Sequence, residues 1–393
     1  MKLLMVSGDR QVTVGERGPF YSMQEEFSRW FERIDVICPR PPSEPQILTI
    51  HDNVHFHPAE CGRAGMVRYI SKKGQELIAA FGHDLIVSHD YGWFYNGIGS
   101  AMVSAKSGVP YVSELHHVPG HPVAADARER FDKLVARAYV AFAKSRTSAF
   151  RVVNQIEMPE LLRSWGVPEE QILVLPSLYI DLEVFQRDRE IKEFDHDVLF
   201  VGRLVNNKGL DRIVDALAML RRRGAPHRAL FVGKGPMREK LEARVNNAGM
   251  GATTSFIDWV ATPEDLASIY RRSRVCVCAS TCEGGPRVTV EAMACGTPVV
   301  STPVGVMTEL LQDSKAGRLT DFTSRGLADS LQPILQDDVL RFRLGTQASA
   351  DVRRFERRAC IETYAAGLHQ VAKLHRDSQA TGGARLSGGL PQS

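Results

Sequence analysis

The chain lacks long hydrophobic runs, cysteine motifs and a strong excess of either charge. No uninterrupted apolar stretch approaches the roughly 20 residues that a helix needs to cross a bilayer, so a membrane-spanning protein is not expected. The opening MKLLMVSGD is without the extended apolar centre of a secretory signal and reads as a first strand. Seven cysteines, at positions 38, 61, 276, 278, 282, 295 and 360, form no Cys-x-x-Cys pair. Cys276 and Cys278 share one face of a predicted buried strand, where core packing explains them better than metal ligation. A reduced, cytoplasmic protein is the expectation. The formal net charge of +3 is too small to argue for nucleic acid. It is not concentrated either, because residues 1–180 hold 19 basic and 20 acidic side chains.

What is present is alternation. Short apolar runs and helical patterns follow one another almost from end to end, with six predicted strands before Pro176 and five between Asp197 and Ser301. This implies an α/β fold of parallel sheets with helices on both faces. At 393 residues the chain is long enough for two cores. Two Rossmann-like domains are therefore expected, at 1–180 and 181–376, joined through a charged and irregular segment from Pro176 to His196. A final helix, about Phe355 to Leu374, is expected to pack back across the first domain. The tail at 377–393 is Gly/Ser-rich and reads as disordered. Ligands of such sheets sit at the carboxyl ends of the strands, so the interdomain cleft is the expected site.

The densest chemistry lies in STCEGGPRVTVEAMACGTPVVS, Ser280 to Ser301. Glu283 and Glu291 stand eight positions apart, and Gly284, Gly285 and Pro286 follow the first. The second opens a run of helix formers that Gly296, Thr297 and Pro298 stop. A glycine turn between a strand and a helix suits a phosphate, and the two acids beside it suit sugar hydroxyls. Upstream, DVLFVGRLVNNKGL ends a strand at Gly202 and places Arg203 and Lys208 across a strand-to-helix turn. Two cations so spaced can converge on one diphosphate. Gly233 and Gly235 give a G-x-G after a strand, but Arg238 stands where the third glycine of a dinucleotide fingerprint belongs, which argues against NAD. Asp195-His196-Asp197 has the spacing of a metal-binding D-x-D, yet it precedes a strand and reads as a polar lead-in.

In this order the motifs resemble glycosyltransferase family 4, retaining enzymes with the two-domain GT-B fold. The resemblance covers most of the chain and is strongest from Val198 to Val300. Gly202, Arg203 and Lys208 match a G-R-x4-K segment, Gly233 to Pro236 match a G-x-G-P turn, and Glu283 with Glu291 match Glu-x7-Glu. EAMACGTPVV matches the family consensus letter for letter. The resemblance implies that Glu283 touches the donor sugar, Glu291 holds the nucleotide ribose, and Arg203 and Lys208 bind the diphosphate. Gly284, Gly285 and the helix N-terminus near Val288 join that donor site. No metal or other cofactor is implied.

Three departures from the family pattern stand out. Gly285-Pro286-Arg287 replaces the usual Gly-Phe-Gly, so one backbone donor is missing at Pro286 and Arg287 is offered in its place. The base-binding turn, commonly Gly-x-Val, is Asp258-Trp259-Val260. Gly15 and Gly18, before a helix opened by Pro19, stand where the family has adjacent glycines that approach diphosphate and acceptor; either fits that role. In the first half, the interval from Pro110 to His116 matches the family and implies that His116 sits beside the reacting carbon. His117 is the alternative, because side chains alternate along an extended segment, and His121 reads as a loop residue.

The expected activity is transfer of a hexose-type unit from a nucleoside diphosphate sugar to an acceptor hydroxyl, with retention and without a protein nucleophile. The acceptor would be a sugar, a lipid-linked sugar or a small polyol. The helix near 126–146 carries Arg128, Arg130, Lys133, Arg137, Lys144 and Arg146 among acids. Such mixed charge suits a solvated face, or a peripheral membrane contact if the acceptor is lipid-linked. Competing readings are a sugar-nucleotide epimerase, a phosphorylase, for which no pyridoxal lysine is identifiable, and a non-catalytic sugar-nucleotide binding protein. The retained glutamates and cations argue against the last.

Overall fold

The computed structural model describes residues 1–188, 193–225 and 227–380. Its first half builds a sheet from β1 (Lys2–Val6), β2 (Arg33–Cys38), β3 (Thr49–Ile50), β4 (Val54–Pro58), β5 (Leu85–His89), β6 (Tyr111–Glu114), β7 (Ala149–Val152) and β8 (Ile172–Val174). The spatial order is β3-β4-β2-β1-β5-β6-β7-β8, and every pairing is parallel except the short β3–β4. The interleaved helices are α1 (Pro19–Phe27), α2 (Met66–Phe81), α3 (Tyr95–Ser107), α4 (Ala127–Ala143) and α5 (Glu157–Ser164). β1 is KLLMV, apolar on consecutive positions and buried from Leu3 to Val6, as a parallel strand covered on both faces must be.

The second half repeats the plan with β9 (His196–Val201), β10 (Ala229–Val232), β11 (Thr254–Ile257), β12 (Ser273–Cys278), β13 (Val299–Ser301) and β14 (Gly317–Leu319). They are all parallel, in the order β11-β10-β9-β12-β13-β14. The helices are α6 (Leu210–Arg222), α7 (Arg238–Asn247), α8 (Pro263–Arg271), α9 (Arg287–Ala294), α10 (Met307–Leu311), α11 (Ser324–Gln336) and α12 (Asp338–Asp351). Their starts are locally encoded. Thr262 accepts from the Asp265 N–H at 3.1 Å with Pro263 in the first turn of α8, and Asp126 caps α4 through the Glu129 N–H at 2.9 Å. Cys276 and Cys278 are buried on β12, in the core, and all seven cysteines are free thiols.

The last helix, α13 (Arg357–Ala380), follows the second sheet but docks on the first domain. Tyr364 packs against Phe27 at 4.9 Å between ring centroids, and His369 lies 5.1 Å from Phe31. The helix runs through Ala380, beyond the expected Leu374, so residues 377–380 are helical rather than part of a disordered tail. The rest of that tail lies outside the described residues. The segment after β8 is less irregular than its charge suggests. Leu178, Tyr179, Ile180 and Phe185 are buried, and Ile180 bridges Glu356, which ties the crossover to the start of α13.

Both sheets reverse direction of growth at one place. In the first, the reversal falls between β1 and β5; in the second, between β9 and β12. The crevice outside the carboxyl ends of such a pair is where parallel sheets bind ligands.

Candidate active site

The turn after β9 and the turn after β12 flank the second reversal point, and they carry the motif residues. Gly202 has φ of 151°, and Gly233, after β10, has φ of 141°. A Cβ on Gly233 would stand 1.9 Å from the Gly202 carbonyl oxygen, so the two turns touch backbone to backbone. Arg203 is exposed, and no carboxylate among the described residues pairs with it. Lys208 reaches across to form an ion pair with Glu283, whose Oε1 also accepts from the Ser280 hydroxyl at 2.8 Å.

Glu291 lies in α9, one helical turn from its start. Arg287 Nε donates to it at 3.0 Å and the Tyr270 hydroxyl at 3.2 Å. Burial raises its carboxyl pKa above the usual range, against the pull of Arg287 and Tyr270. Arg287 also lies 5.2 Å from the centre of the Tyr179 ring, so its guanidinium is held between an acid and an aromatic face. Pro286 is the N-cap of α9 and Val288 sits in its first turn. Trp259 follows β11, close to fully open at 76% exposure, with Val260 half-buried beside it.

The facing wall comes from the first domain. β6 ends at Glu114, and His116 and His117 follow it, both accessible from the cleft. Their chain packs tightly against the second domain's glycine turn, because a Cβ on Gly284 would stand 2.2 Å from the His116 carbonyl oxygen. Gly285 has more room, with Leu178 3.5 Å from its Cβ position. The two imidazoles differ in surroundings. His116 lies 3.6 Å from Glu114, whereas His117 feels the charges of Glu283, Lys208 and Arg203. Loss of solvation lowers the pKa of both, with Glu114 opposing it at His116 and Glu283 at His117. Both imidazoles are therefore biased towards the neutral form.

Beneath His116 is a buried charge cluster. Glu114 receives Arg151 at 3.0 Å, His89 at 3.1 Å and the Tyr364 hydroxyl of α13. Burial works against ionisation of Glu114, but Arg151 and the two histidines outweigh it and hold the carboxyl well below its usual range. Glu114, Arg151, His89 and His116 line a cavity of about 560 Å3 together with Gly8, Asp9 and Tyr179. Gly8 lies just past β1 and His89 ends β5, so this cavity sits at the first sheet's own reversal point.

Sequence reasoning brought together Arg203, Lys208, Glu283, Glu291 and the His116–His117 pair, and the structure places them along one cleft. It did not select Gly8, His89, Glu114 or Arg151. The signal was available, since each sits at or just past the carboxyl end of a strand, as His116 does. Gly15 and Gly18 were named for the first loop, but neither lines the cavity and Gly8 does. Asp195 and Asp197 lie at the opposite, amino end of β9, held by Arg272 at 2.5 Å and Arg274 at 3.2 Å. The polar lead-in is thus a pair of surface ion pairs, away from the cleft.

Comparison with known proteins accounts for both halves. The model of glycosyl transferases group 1 matches residues 181–351, and that of a glycosyl transferase 4-like domain matches residues 20–177. A D-inositol 3-phosphate glycosyltransferase of Arthrobacter sp. (strain FB24) is 28% identical over 320 residues, covering 75% of this chain and 73% of its own. An alpha-D-kanosaminyltransferase of Streptomyces kanamyceticus is 26% identical over 261 residues, 63% of this chain and 67% of its own. Among solved structures, a sucrose-phosphate synthase from Thermosynechococcus elongatus superposes with a TM-score of 0.76 at 21% identity, over 97% of this chain and 99% of that one. The Anabaena protein HepE, in complex with UDP and glucose, gives 0.67 at 20% identity, over 97% and 100%. These structural likenesses establish the GT-B arrangement of the two domains. With both domain models matched in order, the chain belongs to the group 1 glycosyltransferases of the family 4 type and is a sugar-transferring enzyme.

Proposed function

We propose that the protein transfers a hexose-type unit from a nucleoside diphosphate sugar to an acceptor hydroxyl, with the anomeric configuration retained. The observation that carries this reading is the meeting of Arg203, Lys208 and Glu283 with His116 and His117 across a seam where Gly284 touches the His116 carbonyl. In this reading Arg203 and Lys208 hold the diphosphate, Glu283 holds the sugar, and Glu291 faces the ribose after exchanging its contact with Arg287. Trp259 and Val260 form the platform for the base. That HepE has been solved with UDP and glucose supports such a donor.

The chemistry then balances within the cleft. The bond between the anomeric carbon and the diphosphate oxygen breaks, a bond to the acceptor oxygen forms on the same face, and the acceptor proton passes to the departing diphosphate. Negative charge accumulates on the diphosphate as the bond breaks. Fixed cations and the amino end of α9 are aimed where that charge develops. One guanidinium, Arg203, and one ammonium, Lys208, supply the role a metal would otherwise fill, so activity in the presence of a chelator belongs to this reading. His116 and His117, biased towards the neutral form, can position hydroxyls with little added charge near the reacting carbon. The activities named for the relatives favour transfer over epimerisation or mere binding.

A peripheral membrane contact joins the reading on one observation. Trp93, Phe131 and Leu134 are 67%, 52% and 63% exposed, and Trp93 packs on Phe131 at 6.2 Å, beside Arg128 and Arg130. Among the described residues no helix is long and apolar enough to cross a membrane, so such contact would be superficial. The seven free cysteines suit a cytoplasmic setting. The test of the central reading is proton NMR of the product formed from an α-linked donor sugar. An α-linked product is the expected outcome, and a β-linked product would overturn retention.

A further inference from the structure

Next to the cavity at His116 lies a second one of about 460 Å3, and the two share Gly8 and Tyr91. Its wall carries Arg10, Arg40, Arg63 and Arg128. They come from four separate places in the fold: the loop after β1, the end of β2, the approach to α2 and the first turn of α4. The one acid in this lining is Asp132, 3.9 Å from Arg128. No carboxylate among the described residues forms an ion pair with Arg10, Arg40 or Arg63. Arg10 is instead aimed by a hydrogen bond from its guanidinium to the Arg40 carbonyl at 2.8 Å, which fixes its place without neutralising it.

Like charges drawn together from four elements repel, and in this lining Asp132 alone stands against four arginines. Elsewhere on the same molecule arginines do find acids, as Arg244 does with Asp215 and Arg272 with Asp195. The unmatched cluster therefore points to an anion from outside the chain. Guanidinium forks match phosphate oxygens in pairs, and a phosphate ester brings about −1.5 to −2 charges with three acceptor oxygens. A carboxylate would use fewer of these donors, and a neutral polyol would use none of the charge. Tyr91 and Trp93 add flat apolar faces against which the carbon frame of such an ester can lie.

We infer that this cavity seats a phosphate group on the acceptor, held by Arg10, Arg40, Arg63 and Arg128 while the hydroxyl to be glycosylated reaches past Gly8 and Tyr91 towards His116. The inference rests on the transfer reading and names its acceptor class. Tyr91 acts at the junction as a donor. Burial pushes its phenol up to about 12, so it stays protonated. A Cβ on Gly8 would stand 1.2 Å from its hydroxyl oxygen, which leaves the passage to a glycine.

The test is calorimetric titration of inorganic pyrophosphate into protein already saturated with the nucleoside diphosphate that binds it best. The expected result is one further equivalent bound, weakened at least about tenfold in the Arg10→Ala, Arg63→Ala double variant, as loss of two charge-assisted contacts requires. Nucleotide affinity and melting temperature should not change, since both arginines are exposed and neither belongs to the second domain's donor turns. Displacement of the pyrophosphate by glycerol 3-phosphate identifies a soluble ester as the source. Displacement by phosphatidylcholine vesicles containing phosphatidic acid identifies a lipid. No further equivalent, equal binding by the double variant, or displacement by neither competitor overturns the inference. Nucleotide binding is read in the same samples, so failure of the donor reading cannot pass for failure of this one.

Discussion

Lys208 and Glu283 hold each other across the turn after β12, and a bound donor would give each a new partner. Lys208 would move to phosphate oxygens and Glu283 to sugar hydroxyls. If so, their mutual contact counts for little in the transition state and their donor contacts for much. Lys208→Ala and Glu283→Ala should each lower kcat by at least about tenfold in a steady-state transfer assay, the scale of a lost transition-state contact. Removal of Glu283 should also raise the affinity of Lys208 for nucleoside diphosphate alone, because its competitor is gone. A second residue sets a pH response. Glu157 is buried at the interdomain seam, where its carboxylate accepts the Gly305 N–H at 2.5 Å, and burial pushes its pKa up to about 7. A folded pKa above the unfolded value of about 4.5 means that the native state binds the proton more tightly. Stability is therefore lost as pH rises from about 4.5 to about 7. Melting temperature measured across that range should fall with pH for the wild type and vary less for Glu157→Gln.

At the scale of elements, the seam between domains is made by turns that allow almost no side chain. The Gly284 turn after β12 meets the His116 segment after β6, and Cys282 Sγ donates to the Val118 carbonyl at 3.1 Å a few residues away. A methyl group 2.2 Å from a carbonyl oxygen cannot be accommodated without opening the seam. Gly284→Ala should therefore cost about 100-fold in kcat/KM, the effect of an ångström-scale misplacement of reacting groups. Small-angle scattering should show a larger radius of gyration while each sheet stays folded. Most elements around these turns were legible in the sequence, because a buried parallel strand is an apolar run and the helices between carry clear starts and stops. β4, with the sequence VHFHP, was missed because histidines alternate with its apolar positions and Pro58 closes it. β14, Gly317–Leu319, was missed because three residues opened by glycine give no period to read. α11 contains Pro333 and still forms, its amphipathic face buried through Leu327, Leu331 and Ile334.

Over the whole molecule, α13 is the strap that makes one body of two domains. Its Tyr364 hydroxyl meets Glu114 beneath His116, and Arg151 lies 3.6 Å from the Tyr364 ring centre, so a C-terminal residue shapes the first domain's side of the cleft. Tyr364→Phe should cost about 1–3 kcal/mol of stability in denaturant unfolding, since it leaves a buried carboxylate short of one donor. The second domain's side of the cleft was readable in the chain because its residues cluster in two short motifs. The first domain's side was not. Gly8, His89, Glu114, Arg151 and Tyr364 are spread over more than 350 positions and meet only once the sheet order and the return of the last helix are known.

The account stands on a donor site made by the second domain's turns and completed by the first domain's histidines. The most direct measurement is the rate of nucleoside diphosphate release from UDP-, GDP- and ADP-linked sugars by the wild type and by Lys208→Ala. The account predicts that one donor class is turned over and that the variant releases nucleotide at least about tenfold more slowly while remaining folded. Turnover of no donor together with no nucleotide shifting the melting temperature, or equal rates for the variant and the wild type, would contradict it.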